Sequence, residues 1–356
     1  MSVVVYGMTM ILTVILGYVW NQCENKPIKT AKSETVSWIF AVLTFMPMYL
    51  INASAYYAGG DYTNYVQYFQ KIRRGIDVDV EPAYLWINKL VIALGGEFQW
   101  VYFIVCFIGY ALLMVCIKKY SDDYAMSLFL YFAFAYFFRF GMNLIRQFIA
   151  IMLIFLAYQY IEKRNIIKFT CLVALAVLFH TSSIVVWPFY LILNRKLRLS
   201  FFVMVGLICI PFNFKFQEIM TWLFATFKPS YLSSNYISRT FSWDVAYILC
   251  HLATLAIVLL YYEYLQQKQI NKVLINALYI GIIISTLACW LPEYKRFAYY
   301  FLFPQICLIP NALRAERRKG VKIGILIILS LILLFHLVRA LPIWKVFPYR
   351  SMLFSF

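Results

Sequence analysis

Long apolar runs restrict the fold of this chain more than any other feature of its sequence. Each run is close to the roughly twenty residues that a helix needs to cross the hydrocarbon core of a bilayer. With 64% hydrophobic and only 13% charged residues, the composition lies outside the range of soluble domains. The chain is therefore predicted to be an all-α, polytopic integral membrane protein. The runs lie near residues 3–21, 34–51, 98–117, 124–140, 143–161, 244–265, 272–292, 297–313 and 322–341.

The remaining apolar stretches are shorter or interrupted. Residues 168–213 are divided by "HTSS" and "NRKLR" and predict three short spans. Residues 82–96 are too few to cross comfortably and predict a re-entrant or interfacial helix. The whole chain, 1–356, is then one transmembrane domain of about 11–13 helices. The first run has no basic residue before it and no cleavage site after it, so an uncleaved anchor is expected.

Lysine and arginine residues indicate how these spans are oriented. Short cytoplasmic loops of membrane proteins retain positive charge, and alternate loops of this chain are basic. Those loops are predicted to face the cytoplasm, which leaves both termini outside, together with an extracytoplasmic loop at 52–97 and a second at 214–243. The basic loops lie at 26–32, 118–119, 163–168, 195–198, 268–272 and 314–322.

The formal net charge of +17 limits the classes of partner. No long soluble basic domain is available to hold a nucleic acid, so that partner is excluded. The basic residues on the outer face have two explanations, which are interfacial anchoring and recognition of an anionic substrate. The eight cysteines are scattered without a metal-ligand spacing, and no nucleotide or hydrolase motif is present, so no metal or cofactor is predicted.

The first large outer loop contains "GGDYTNYVQYF", residues 59–69. Two glycines permit a tight turn before Asp61, and a helix is predicted to begin at Tyr62. Tyr62, Tyr65 and Phe69 would then form one aromatic face. Asp61 either caps this helix or acts in a site, and the aromatic face either belongs to a membrane-interface belt or contacts sugar.

A second outer group is "FRFGMNLIRQFIA", residues 138–150, which includes Arg139. If Asn143 opens the next helix, its spacing to Arg146 and Gln147 places these three on one face that points into the bundle. A guanidinium buried there requires an acid or an anion beside it, and its forked shape suits phosphate.

Two more features complete the candidate groups. "LPEYKRFAYYFLFP", residues 291–304, adds Glu293, Lys295 and Arg296 at another outer helix end. His180 interrupts an apolar run and is followed by "TSS", where a broken helix can line a cavity, so a structural and a functional interpretation both stay open.

Four motifs in this order resemble the Wzy-type polysaccharide polymerases, and specifically the EpsG-like branch. They are "GGDYTNY", "EPAY", "MNLIRQFIA" and "LFHTSS", followed by "YKRFAYYF" and a terminal "FPYR". Each motif alone is only a few residues long, but together they cover most of the chain.

The resemblance implies an all-α, GT-C-like enzyme of the bacterial cytoplasmic (inner) membrane that joins repeat units of capsule, exopolysaccharide or O-antigen. The growing glycan is transferred on the extracytoplasmic face from undecaprenyl pyrophosphate to a sugar hydroxyl of the next lipid-linked repeat. The implied partners are these two lipid-linked oligosaccharides, membrane lipid and a chain-length regulator protein.

Such a transfer needs cations for the leaving pyrophosphate and a base for the sugar hydroxyl. The candidate catalytic residues are Asp61, Glu81 and His180, in an order that stays open, and an acid among them can instead pair with an arginine. Arg146 is expected to contact the pyrophosphate, and His180 and Asp61 are expected to approach a common outer cavity. The substrate-binding candidates are Arg139, Asn143, Arg146, Gln147, Lys295, Arg296, Tyr62, Tyr65 and Tyr84.

Three other functions use similar residues. An O-antigen ligase or another lipid-linked glycosyltransferase would use the same chemistry on a different acceptor. A flippase or transporter of the lipid-linked unit would place its charges near the bilayer midplane, on broken helices with internal repeats. A membrane O-acyltransferase would depend mainly on His180.

Overall fold

The computed structural model describes residues 2–26, 28, 30–57, 59–227, 244–287, 294–340 and 349–352. Every named element in this part of the chain is a helix. The first half contains α1 Ser2–Glu24, α2 Ala31–Ala53, α3 Tyr62–Arg73, α4 Pro82–Ala93, α5 Phe98–Tyr120, α6 Tyr124–Ala133, α7 Ala135–Asn143, α8 Ile145–Glu162 and α9 Ile166–Phe179.

The second half begins with a 3-10 helix at Thr181–Phe189, and a π-helical turn at Ile283–Leu287 follows α15. Its α-helices are α10 Tyr190–Leu193, α11 Leu199–Asn213, α12 Phe216–Phe227, α13 Val245–Leu260, α14 Tyr262–Leu265, α15 Gln269–Ile282, α16 Tyr294–Leu302, α17 Gln305–Leu313 and α18 Lys319–Ala340.

The predicted class, an all-α polytopic membrane protein, is confirmed. Within the described residues, six helical segments are long and apolar enough to cross a membrane, and the bent pair α6 and α7 makes a seventh. Four further apolar helices have 10–17 residues, so the predicted number of spans is reached only if the shorter helices cross as well. The six long segments are α1, α2, α5, α8, α15 with its π-turn, and α18.

Helix α8 lies at the centre of the bundle. Its sequence is apolar around nearly its whole circumference, as expected for a helix that has protein on all sides. It packs against α5, α9 and α15, and its first turn meets α7 and α16. By contrast, α1 and α18 expose rows of large apolar side chains, as expected for helices that face lipid. The central position of α8 brings its first turn into contact with several other elements.

Two predicted spans are broken helices. The run near 124–140 is bent by 87° between α6 and α7, and the run near 297–313 is divided into α16 and α17 at Phe303 and Pro304. Proline explains the second break, because it removes a backbone donor and clashes with the preceding turn. No proline or glycine lies at the first break, so local sequence did not indicate it.

The predicted outer loops contain helices of their own. In 52–97, α3 and α4 have twelve residues each, about 18 Å of helix, which is too short for a hydrocarbon core of about 30 Å. Trp86 and Leu90 on α4 are exposed apolar residues. In 214–243, α12 occupies 216–227, and residues 228–243 lie outside the described part of the chain.

A short strap formed by residues 349–352 holds the entry to α3. Ala55 and Ser351 form an antiparallel bridge, and the Tyr349 hydroxyl donates to the carbonyl of Ile51 at 2.9 Å. The backbone N–H of Met352 donates to the carbonyl of Ser54 at 2.8 Å. These bonds join the end of α2 to residues almost 300 positions away, and they fix the start of the loop that contains Asp61.

The bundle has two chemically different ends. Helix α8 runs from Ile145 to Glu162 over about 27 Å, so its first turn and the basic loop at 163–168 lie at opposite ends. Helix α5 likewise runs from the end that contains α3 and α4 to Lys118 and Lys119. The polar groups around Arg146 therefore lie at the end of the bundle opposite the basic loops.

We expect single cysteines at Thr63 and Lys163 to react with a membrane-impermeant reagent from opposite sides of the membrane. Both positions are exposed, and they lie at the two different ends of the bundle. Because basic loops are retained in the cytoplasm, the cysteine at position 63 should react in intact cells and the one at position 163 only after permeabilisation. Labelling in a cysteine-free background measures this, and reaction of both from one side would overturn the orientation.

Candidate functional site

Three ionisable side chains from distant parts of the chain meet at the end opposite the basic loops. The Arg146 guanidinium forms an ion pair with one carboxylate oxygen of Glu81, and His180 Nδ1 lies 2.9 Å from the other oxygen. The Glu81, Arg146 and His180 side chains are 12%, 18% and 22% exposed. They are shielded from bulk water but not sealed from it.

Each of the three residues lies where a helix begins or ends. Glu81 immediately precedes α4, whose first residue is Pro82, and proline favours that position because it needs no backbone donor there. Arg146 is in the first turn of α8, after a break at Leu144. His180 has an extended backbone between α9 and the 3-10 helix. These breaks bring three polar side chains to one place at the edge of an apolar bundle.

Aromatic rings surround the Arg146 guanidinium. Its central carbon lies 5.3–6.0 Å from the ring centres of Tyr84, Tyr65 and Tyr68, within cation–π distance. Its Nε atom is buried and has no hydrogen-bond partner among the described residues. Arg146 is thus held in place while one donor remains unused.

Three of the tyrosines predicted to bind substrate are buried. Tyr62 and Tyr65 do lie on one face of α3 with Phe69, but this face packs into the protein, as does Tyr84. Their rings face the protein interior in this structure, and the sugar contacts stay a prediction. The Tyr62 hydroxyl donates to Gln99 Oε1 at 2.9 Å.

The loop before α3 rests on Asn143. The backbone N–H of Asp61 donates to Asn143 Oδ1 at 2.8 Å, and the Tyr65 hydroxyl donates to the Asn143 carbonyl at 3.2 Å. Gly59 has a φ of +85°, and a Cβ there would lie 3.0 Å from Asn143 Oδ1, so glycine is needed at this position. Asn143 ends α7 and does not open α8, so the predicted helix register was wrong for this residue.

Asp61 occupies the predicted position before α3, but its side chain makes no capping hydrogen bond there. Its negative charge acts on the Tyr65 phenol, which also lies beside Arg146. Asp61 is therefore connected to the cluster through Tyr65, whereas His180 contacts Glu81 directly. A common cavity for these two residues stays a prediction.

The start of α16 forms a further wall of the site. Gln147 Nε2 donates to the Arg296 carbonyl at 3.0 Å, and the Ser182 and Tyr300 hydroxyls are 3.0 Å apart. The bond from Gln147 places the backbone of Arg296 beside the first turn of α8, which also contains Arg146.

Neighbouring candidates differ in their surroundings. Lys295 Nζ lies 2.8 Å from Asp244 Oδ2 and over the Tyr247 ring, so Lys295 is engaged outside the Glu81 cluster. Arg139 is in α7, but its side chain is outside the described part of the structure, and Glu293 lies outside the described residues.

Glu81 is held in its ionised form. Burial alone would raise the pKa of its carboxyl, but the hydrogen bond from His180 and the positive charge of Arg146 outweigh burial, and the pKa lies below its ordinary value. An ionised carboxylate only accepts hydrogen bonds, so His180 donates from Nδ1–H to Glu81. The lone pair of Nε2 is then available to accept a proton.

This pKa shift predicts how acid affects the fold. A lowered pKa means that Glu81 contributes stability above its unfolded pKa of about 4.3, and that this contribution is lost as the pH falls through the lower folded value. We expect the thermal unfolding temperature of the wild type in detergent to fall more steeply below about pH 4.3 than that of Glu81→Gln. Parallel curves for the two proteins would contradict the ion pair.

Some members of this site could not be found from sequence. Sequence reasoning gave Glu81, Arg146 and His180 as separate candidates and left open whether an acid pairs with an arginine, and the structure shows that Glu81 does so. Ser182 and Tyr300 were missed as members of the site, although both lie within motifs that were noted. A hydroxyl residue gives no distinctive signal until its partner is known.

Comparison with known proteins identifies one matching family. Neither the curated proteins nor the solved structures yield a match to this chain. The model of the EpsG family matches residues 38–351, which is most of the chain and includes every residue of the Glu81 cluster. The chain therefore belongs to the EpsG family, the family of Wzy-type polysaccharide polymerases.

Proposed function

We propose that this protein extends a polysaccharide on the extracytoplasmic face of the bacterial cytoplasmic membrane, and that the Glu81 cluster is its catalytic site. The donor is a glycan on undecaprenyl pyrophosphate, and the acceptor is a sugar hydroxyl of the next lipid-linked repeat. Membership of the EpsG family supports the polymerase role. The observation that carries the assignment of the site is the contact of Glu81 with both His180 and Arg146.

His180 acts as the general base. Its Nε2 takes the proton from the acceptor hydroxyl as the hydroxyl oxygen attacks the anomeric carbon of the donor. The bond from that carbon to the pyrophosphate oxygen breaks, and undecaprenyl pyrophosphate leaves with the electron pair. Glu81 fixes the ring orientation and the tautomer of His180 and stabilises the imidazolium that forms.

Glu81 itself is a poor candidate for the base, because its lowered pKa leaves it little affinity for a proton near neutral pH. Asp61 acts electrostatically on Tyr65, which lies beside Arg146, and is assigned to orienting the acceptor. Glu81 thus orients His180 and Asp61 orients the acceptor, while the His180 imidazole accepts the proton.

Arg146 and Arg296 neutralise charge on the leaving pyrophosphate. Arg296 lies at the wall formed by α16, and Arg146 keeps Nε–H as an unused donor while it holds Glu81. Hydrogen-bond donors that are fixed before the reaction stabilise developing charge without reorganisation. Gln147 donates to the Arg296 carbonyl, and Asn143 accepts from the backbone N–H of Asp61, so these two residues support Arg296 and the Asp61 loop.

Purified protein mixed with defined lipid-linked repeats and no nucleotide sugar tests this function. We expect a ladder of longer lipid-linked glycans. Transfer of a single repeat to lipid A core would instead indicate a ligase, movement of unchanged repeats across the bilayer a transporter, and uptake of a labelled acyl group an acyltransferase. Each of these three results, obtained with folded protein and without a ladder, would contradict the proposal.

A further inference from the structure

A groove at the basic end of the bundle lies far from the Glu81 cluster. It has a volume of about 220 Å³ and is formed where the end of α8 meets α10. Asn194 Nδ2 donates to the Ile161 carbonyl at 3.0 Å and fixes these two segments against each other. The groove is lined by Ile161, Arg164, Tyr190, Leu191, Asn194 and Arg195.

The two arginines of this groove are not neutralised by an ion pair, whereas some other cations at the same end are. Lys118 pairs with Glu24 at 3.2 Å, and Arg318 pairs with Glu316 at 3.0 Å. Neither Arg164 nor Arg195 forms an ion pair with any residue in the described ranges, and no carboxylate lines the groove. Two like charges beside one groove favour an anion between them.

Arg164 also occupies an unfavourable backbone position. It has a φ of +52° just after the end of α8, and the N–H of Asn165 donates back to the Tyr160 carbonyl at 2.8 Å. Glycine is the usual residue at this position of such a helix end, because a Cβ is disfavoured in the left-handed region. The unfavourable backbone conformation of Arg164 therefore suggests that its side chain has a function.

We propose that this groove binds one anionic phospholipid of the membrane leaflet at the basic end. The Arg164 and Arg195 guanidinium groups bind the headgroup phosphate, and Tyr190 and Asn194 provide further polar contacts. Arg195 Nε donates to the Leu191 carbonyl at 3.3 Å, which holds its guanidinium at the groove.

The surrounding surface identifies the occupant as a lipid. Leu191 is 65% exposed and Ile167 is 73% exposed, and both are apolar. Acyl chains can cover such residues, whereas a soluble phosphate cannot. Basic pockets between transmembrane helices at the cytoplasmic side are suited to anionic headgroups. The proposal does not depend on the polymerase reaction.

Lipid binding to the full purified chain in detergent, followed by native mass spectrometry, tests this site. We expect phosphatidylglycerol to bind more tightly than phosphatidylcholine. Arg164→Gly and Arg195→Gln should each weaken phosphatidylglycerol binding by about tenfold or more, because each removes charge-assisted hydrogen bonds. Arg164→Gly should also retain or raise the thermal unfolding temperature, since it relieves the backbone.

Arg317→Gly is the matched control, because Arg317 is an exposed cation at the same end but outside the groove. It should leave lipid affinity unchanged. Unchanged binding in both groove variants would overturn the site. Equal competition by inorganic phosphate, or undecaprenyl phosphate binding that depends on these arginines while phosphatidylglycerol binding does not, would overturn the phospholipid as occupant.

Discussion

Replacing His180 by glutamine should lower the rate of chain extension by about 10²–10⁴-fold, the usual contribution of a general base. Glutamine can keep a hydrogen bond to Glu81, but its amide nitrogen does not accept a proton near neutral pH. The binding of the lipid-linked repeat and the thermal unfolding temperature should stay near the wild-type values. The ladder assay gives the rate, and titration with the lipid-linked repeat gives the affinity.

Thr181→Ala is the control for this variant, because it changes the neighbouring exposed residue and leaves the imidazole in place. It should extend chains at nearly the wild-type rate. If His180→Gln makes full-length polymer at the wild-type rate, His180 has no part in the proton transfer.

Replacing Arg146 by lysine should reduce chain extension by about 10²–10³-fold, as expected when one fixed donor to a developing charge is removed. Lysine keeps the positive charge but has no planar fork and no Nε–H, so the fixed donor that Arg146 holds beside its ion pair with Glu81 is lost. It also fits less well among the three tyrosine rings. The amount of protein in the membrane should remain normal.

Arg73→Lys provides the matched control, since Arg73 lies at the same end and pairs with Glu97 at 2.9 Å, but both partners are exposed. Exposed ion pairs contribute little, so this variant should extend chains normally. Equal losses in the two variants would mean that the effect of Arg146→Lys is not specific to the Glu81 cluster. Wild-type ladders from Arg146→Lys would remove Arg146 from the proposed mechanism.

Much of the architecture could be predicted from local sequence. Apolar length alone identified the long helices, and the glycine pair with Asp61 indicated that α3 begins at Tyr62, where the structure places it. These features depend on residues that are neighbours along the chain. The bend after α6 lacks such a signal, because no proline or glycine lies at the break.

The geometry of the site could be predicted only in part. Amino-acid type and position at helix ends identified Glu81, Arg146 and His180. Along the chain, however, Glu81 is 65 residues from Arg146 and 99 residues from His180. One sequence shows which face of a helix is polar and does not show which distant element meets that face. The same limit applies to Tyr65 and Tyr84, whose contacts with the Arg146 guanidinium join three separate helices.

A double-mutant cycle between Glu81 and His180 in the ladder assay tests the proposed unit most directly. Glu81→Gln should slow extension because it no longer fixes the tautomer of His180, and the double variant should be about as slow as His180→Gln alone. This result requires that the two residues act on one step. Losses that multiply in the double variant, or wild-type extension by Glu81→Gln, would contradict a base at His180 that Glu81 orients.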